Sequence, residues 1–308
     1  MLDRIKAAVV WGRHHGGVPV GVVDVGSNTV RVLVTDGETT LLSEREMLRL
    51  GADIEQHGSI PAEKLERTAA VVSLLARDAR AVGAEAVEVL ITSPGRQAEN
   101  GAELRTVIED ACGCPARILT ASEEGQLAFV GALSAVPVPA GRRVAVVDVG
   151  GGSAQVVVGS RHDGPQWVRS IDLGSQRLTS RMLSDDPPGQ HAVAVACDEV
   201  ERYLEGFEPP LPRTALAVGG SARALKRIAG ARLGERELED ALALLAETPI
   251  AKLSRRYGID EDRARTLAAG TVILSELQHR LGTSMKVVRK GLRDGAVLAL
   301  AAEHAAAA

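Results

Sequence analysis

Two apolar periods alternate along this chain, and the switches between them mark its elements. A Val-rich run from Gly21 to Val25 is followed by Gly26, Ser27 and Asn28, and then by a second Val-rich run from Thr29 to Asp36. Two such runs around a short Gly-Ser-Asn turn predict a β-hairpin. The period then becomes helical. Ser59 and Pro61 announce a helix whose apolar stripe is Leu65, Ala69, Val72, Ala76 and Ala79, with Gly83 as its stop. Ala86 to Thr92 reads as a buried strand ending at Ser93-Pro94-Gly95. A helix from Glu99 to Ala111 and a short strand from Ala116 to Leu119 follow. Thr120 and Glu123 fit a capping box that opens a helix running to about Ser134.

The stretch Val136 to Gly141, with two prolines and a glycine, has neither period and reads as a linker. Directly after it the opening pattern returns. Ala145-Val146-Val147-Asp148-Val149-Gly150-Gly151-Gly152-Ser153 repeats Gly21-Val22-Val23-Asp24-Val25-Gly26-Ser27, about one domain length later. A second Val-rich run follows each copy, here Gln155 to Gly159. Strands are predicted at Gln166–Leu173, Thr214–Val218 and Ser284–Val288. Helices are predicted at Ala192–Leu204, after Gly219-Gly220-Ser221, across Glu235–Leu281 with breaks at Thr248-Pro249 and Gly258, and at Gly291–His304. Strands alternating with helices imply an α/β fold with a mixed sheet in each half. The expected divisions are an N-terminal extension over 1–17, a first domain over 18–137 and a second over 138–290. The last helix, about 291–308, is expected to pack back on the first domain.

A length of 308 residues suits two domains, and 45% hydrophobic with 25% charged residues allows packed cores. A net charge of −4 and only 2% aromatic residues argue against DNA or a general nucleic-acid partner. Cys112, Cys114 and Cys197 read as reduced, structural thiols. Met1 to Gly17 lacks the pattern of a secretion signal, and no run approaches the ~20 apolar residues that cross a bilayer. The expectation is a cytoplasmic protein with no membrane partner.

The chemistry concentrates at the two Asp-Val-Gly turns. Small residues let a backbone approach a ligand, and successive turn N–H groups form an anion-binding concavity. Gly26, Ser27 and Asn28 make the first candidate phosphate loop, and Gly150, Gly151, Gly152 and Ser153 the second. Asp24 and Asp148, just before the turns, are candidate ligands for a divalent ion beside a bound phosphate. Gly220 and Ser221 sit where a strand meets a helix N-terminus, a place that favours anions but also an ordinary connection. Arg96 follows a strand end and is either a bidentate phosphate clamp or a surface charge. Glu123 reads as a helix cap. Glu124 is either a second first-turn carboxylate or the base that deprotonates an attacking water. Lys286, Arg289, Lys290 and Arg293 form a basic cluster that either steers a polyanion or is a solvated face.

These residues resemble the exopolyphosphatase / guanosine pentaphosphate phosphohydrolase family (Ppx/GppA), in its short two-domain form. The resemblance runs from about Gly21 to Glu303. It is carried by Val23 to Thr29, Thr92 to Asn100, Ser122 to Gln126, Val147 to Ser153, Asp172 to Thr179, Val218 to Leu225 and Gly291 to Gly295. It implies a duplicated actin-like (ribonuclease H-like) fold with the active-site cleft between its domains. It also implies release of terminal phosphate from inorganic polyphosphate or guanosine pentaphosphate with Mg²⁺; another divalent ion or K⁺ is an alternative. A homodimer is implied as well. The family's catalytic glutamate maps to Glu124, its arginine to Arg96 and its phosphate loops to the two turns, the second including Asp148; Asp148, Asp24 and Gln155 are the expected metal ligands. Two departures stand out: Gln155 replaces the usual glutamate, and Gln126 stands where many members carry arginine. Gln155 keeps alive a second reading, a sensor that binds guanosine penta/tetraphosphate or polyphosphate with little turnover. An actin-like ATPase or sugar kinase would share the fold but not the Glu124 and Arg96 motifs.

Overall fold

The computed structural model describes residues 17–307, so the expected N-terminal extension, Gly17 apart, and Ala308 lie outside the described residues. The chain forms two compact units. One ends at Ser134 and resumes at Lys290; the other is Ala135–Arg289.

In the first unit β1 (Val20–Val25), β2 (Thr29–Thr35), β3 (Thr40–Met47), β4 (Ala86–Ile91) and β5 (Ala116–Ile118) make one sheet in the order β3-β2-β1-β4-β5. The hairpin strands β1, β2 and β3 pair antiparallel, whereas β1, β4 and β5 are parallel. The sheet is therefore mixed. Valine dominates β1 and β2 because β-branched side chains pack well on a pleated surface buried on both faces. Around the sheet lie α1 (Leu50–His57), α2 (Ala62–Ala81), α3 (Ser93–Gln97), α4 (Gly101–Cys112) and α5 (Ala121–Ser134). The final helix, α13 (Leu292–Ala307), packs against α5. The stripe Leu65, Ala69, Val72, Ala76 and Ala79 of α2 is buried, as a 3.6-residue period requires.

The second unit repeats the scheme. β6 (Val144–Val149), β7 (Ala154–Ser160), β8 (Gly164–Ile171), β9 (Thr214–Val218), β10 (Arg232–Leu233) and β11 (Met285–Val287) are ordered β10-β11-β9-β6-β7-β8. β6, β7 and β8 form an antiparallel meander, and β6, β9 and β11 are parallel. The helices are α6 (Ser175–Met182), α7 (Gln190–Tyr203), α8 (Gly219–Ala229), α9 (Glu235–Glu247), α10 (Ile250–Tyr257), α11 (Glu261–Arg265) and α12 (Leu267–Leu281). α12 is buried along nearly its whole length and is the unit's central helix. The shared register fixes the key carboxylates: Asp24 lies across from Arg31, and Asp148 across from Gln155. No described helix is long and apolar enough to cross a membrane.

Candidate active site

Both units build their bend by the same hydrogen bonds. In the first, the Gly26 N–H donates to the Thr29 carbonyl at 3.1 Å; in the second, the Gly150 N–H donates to the Ser153 carbonyl at 3.0 Å. The bend carbonyls are then taken by residues at the start of a short helix. Gly51 donates to Ser27 O at 2.7 Å, and Leu48 and Arg49 donate to Asn28 O at 3.1 and 3.0 Å. Ser175 donates to Gly150 O and Gln176 to Gly151 O, both at 2.9 Å. Occupying these carbonyls removes acceptors from the bend, which favours an anion beside it. Gly26, Ser27, Asn28, Gly150, Gly151, Gly152 and Ser153 all belong to these bends.

The serine hydroxyls brace the bends. Ser27 is buried, with its Oγ 2.6 Å from Ser93 Oγ at the end of β4. Ser153 Oγ accepts from Gln155 Nε2 at 2.8 Å, and the same amide reaches Ser170 Oγ at 3.3 Å. Gln155, expected among the metal ligands, is fully buried and turns its donor nitrogen to two hydroxyls. A carboxylate could not donate those bonds.

The third glycine turn joins the second bend. Gly219 has φ +88°, and a Cβ there would fall 2.4 Å from Asp148 Oδ1, so the Asp148 carboxylate lies directly against its backbone. A Cβ on Gly220 would fall 2.6 Å from the Arg263 guanidinium carbon. Sequence reasoning missed Arg263, because nothing in the helical stretch from Glu235 to Leu281 singles it out. Ser221 turns the other way. It is fully buried, and a Cβ on Gly270 of α12 would come within 2.6 Å of its Oγ, so its side chain belongs to the packing against that helix.

Glu123 and Glu124 separate their tasks. Glu123 Oε2 accepts from the Thr120 N–H at 2.8 Å and Thr120 Oγ1 accepts from the Glu123 N–H at 3.2 Å, a reciprocal cap. Glu124 is buried and meets Arg96: the guanidinium donates to Glu124 Oε2 at 2.8 Å and to the Leu119 carbonyl at 2.7 Å. Arg96 thus holds the glutamate as well as carrying a charge. Ser93, three positions earlier in α3, touches Ser27, so the first bend and the Arg96–Glu124 pair are joined through one short helix.

Asp24 titrates above its ordinary value because burial strips its water; the Arg293 and Arg31 guanidinium groups oppose that rise. Of the expected basic cluster, Arg293 therefore has an electrostatic partner in the first unit, and it also donates to Val32 O at 3.4 Å. Among the described residues no group of three or more His, Cys, Asp or Glu side chains is placed to hold a metal ion.

Residues 32–304 match the family model described as the Ppx/GppA phosphatase family. The chain belongs to the Ppx/GppA phosphatase family. Among Ppx/GppA relatives, Exopolyphosphatase 1 of Mycobacterium tuberculosis is 28% identical over 301 residues, covering 91% of this chain and 87% of that protein. The crystal structure of an exopolyphosphatase-like protein superposes with a TM-score of 0.84 at 25% identity, over 93% of this chain and 100% of that one. The Ppx/GppA family member of Aquifex aeolicus gives a TM-score of 0.79 at 23% identity, over 93% and 98%, and shows the shared fold. That Ppx/GppA fold is the duplicated actin-like α/β arrangement that the resemblance implied, with a mixed sheet and flanking helices in each unit.

Proposed function

We propose that this phosphatase removes the terminal phosphate from inorganic polyphosphate, with Glu124 as the base for the attacking water. The observation that carries the proposal is a buried carboxylate, held by Arg96 and tied through α3 to a bend whose carbonyls are already occupied. In the reaction, water oxygen bonds to the terminal phosphorus and the bridging P–O bond breaks. The electron pair leaves with the shortened chain, and the water proton passes to Glu124 and then to solvent. Burial and the fixed hydrogen bond keep the acceptor oxygen in one place, so little reorganisation is needed. The Gly26-Ser27-Asn28 bend is the phosphoryl cradle of the first unit; within the other unit, Gly150 to Ser153 form the equivalent bend, and Arg263 lies beside Gly220.

Polyphosphate is preferred to guanosine pentaphosphate on two grounds. The related mycobacterial protein is named an exopolyphosphatase, and a chain with 2% aromatic residues has little to stack on a base. Magnesium fits the donor set. It binds through one or two carboxylates and keeps waters and substrate phosphates as its other ligands, so it tolerates the lack of a protein cage among the described residues. Asp148 would lend it an oxygen, and Asp24 is less suited because Arg31 and Arg293 already face its charge. When bound, the ion neutralises charge on the phosphoryl oxygens.

The test is phosphate release from polyphosphates of defined length and from guanosine pentaphosphate, with and without Mg²⁺. Magnesium-dependent release from polyphosphate, exceeding release from the nucleotide, is expected. Release from the nucleotide alone would overturn the substrate assignment.

A further inference from the structure

At the end of the second unit's sheet remote from the glycine bend lies a cavity of about 840 Å³, lined by Arg142, Arg143, Arg213, Gln166, Ser160 and Asp163 among others. Its place follows from strand direction. Arg142 and Arg143 immediately precede β6, which leads into Gly150; Arg213 immediately precedes β9, which leads into Gly219. The strands are parallel, so the arginines sit at one end of them and the glycine turns at the other, roughly 15–20 Å away by strand rise.

The backbone there is fixed. Arg142 N–H donates to Pro139 O, Arg213 N–H donates to Arg143 O, both at 3.0 Å, and His162 N–H donates to Ala140 O at 2.9 Å. The side chains are not. None of the three guanidinium groups has a hydrogen-bond or ion-pair partner among the described residues. The one lining carboxylate, Asp163, is already engaged, accepting from Ser160 Oγ at 2.7 Å and lying 2.9 Å from His162 Nδ1. Three unpaired cations around a hollow with a single carboxylate leave a net positive charge that an anion would relieve. Each guanidinium presents five N–H donors in a planar fork that matches phosphate oxygens. The hollow is far larger than a single orthophosphate, so a linked run of phosphoryl groups is the anion that can touch all three.

We propose that this cavity is a second anion site that binds a run of linked phosphoryl groups, as in a short inorganic polyphosphate. Binding there requires no hydrolysis and uses none of the residues assigned to the reaction.

The probe is a tripolyphosphate analogue with methylene bridges, which resists hydrolysis, titrated calorimetrically into the full chain. The wild type is expected to bind about two equivalents. The triple variant R142A/R143A/R213A is expected to bind one fewer, or to bind the second at least ~10-fold more weakly, since each lost charge-assisted contact contributes a fraction of a tenfold step or more. The replaced side chains are exposed, so folding should survive. The charge reversal Arg213→Glu gives an independent variant with the same expected loss. Unchanged stoichiometry and affinity in both variants would overturn the proposal. Kinetics then separates two sources of the anion. A raised KM for long polyphosphate but not for tripolyphosphate in the triple variant identifies the tail of the substrate. An effect of the analogue on tripolyphosphate turnover that the triple variant loses identifies a separate effector. Arginine-dependent binding in a protein that releases no phosphate would leave this site standing while removing the proposed activity.

Discussion

Asp24 shows how a bend's chemistry is set by what surrounds one carboxylate. Its proton is held above the ordinary value of 3.8 chiefly by burial, against the pull of Arg293 and Arg31. The unfolded chain releases that proton first. Stability is therefore lost as pH rises from about 3.8 through the folded value, and at neutral pH the ionised group is a net cost. Asp24→Asn, of the same shape and always neutral, should raise Tm at pH 7, and the gain should vanish below pH 3.8. A lower Tm at pH 7 would contradict this account. Gln155 carries an equally specific expectation. The sequence marks it only as a lost negative charge, but the structure shows its amide donating to Ser153 and Ser170. Gln155→Glu puts a charge where a buried amide stood; the two hydroxyls can turn to donate to it, but burial disfavours it, and the chain should be destabilised by about 1–3 kcal/mol in denaturant unfolding, without a gain in phosphate release. A large gain in rate would favour the weak-turnover sensor. Arg96 was legible as a cation at a strand end. Its hold on Glu124, 28 positions away, was not, because such contacts depend on how β4 and α5 are brought together.

At the scale of elements, the hairpins, the capping box and the α2 stripe could be read because each follows a local rule. The elements that grip the bends could not. β3 is an edge strand with almost every residue exposed, so it shows no apolar alternation. α1 and α6 are eight-residue helices without a capping side chain, and Arg49, just before α1, lies in the left-handed region at φ 55°. The N–H groups at or just before the starts of these two helices occupy the bend carbonyls, so both helices belong to the candidate site. The helix that carries Glu124 has its own constraint. A Cβ on Gly131 of α5 would fall 1.9 Å from the Gly291 carbonyl, and one on Gly295 of α13 would fall 1.9 Å from the Leu127 carbonyl. Backbone meets backbone there, with no flexible side chain to yield. Gly131→Ala must push α13 away and is expected to cost on the order of 1–3 kcal/mol in chemical denaturation. A neutral effect would show that the two helices are not held this closely.

For the molecule as a whole, the duplication was the most legible feature, because one Asp-Val-Gly bend recurs after a full domain length and each copy folds into the same strand order. The sequence reading has the last helix, about 291–308, packing back on the first domain; in the structure the chain re-enters the first unit at Lys290 and α13 packs on α5. Net charge told little, since a chain at −4 still sets Arg96 against Glu124, Arg293 near Asp24 and Arg263 beside Gly220. Asp24, Arg96 and Glu124 lie far apart in sequence, yet the proposed chemistry falls to one oxygen pair on α5. Steady-state phosphate release from polyphosphate, wild type against Glu124→Gln with Mg²⁺ present, tests that directly. The variant should fold and keep binding the chain, with kcat lower by ~10²–10⁴-fold. Equal rates in the two proteins would contradict the assignment of Glu124 as the base.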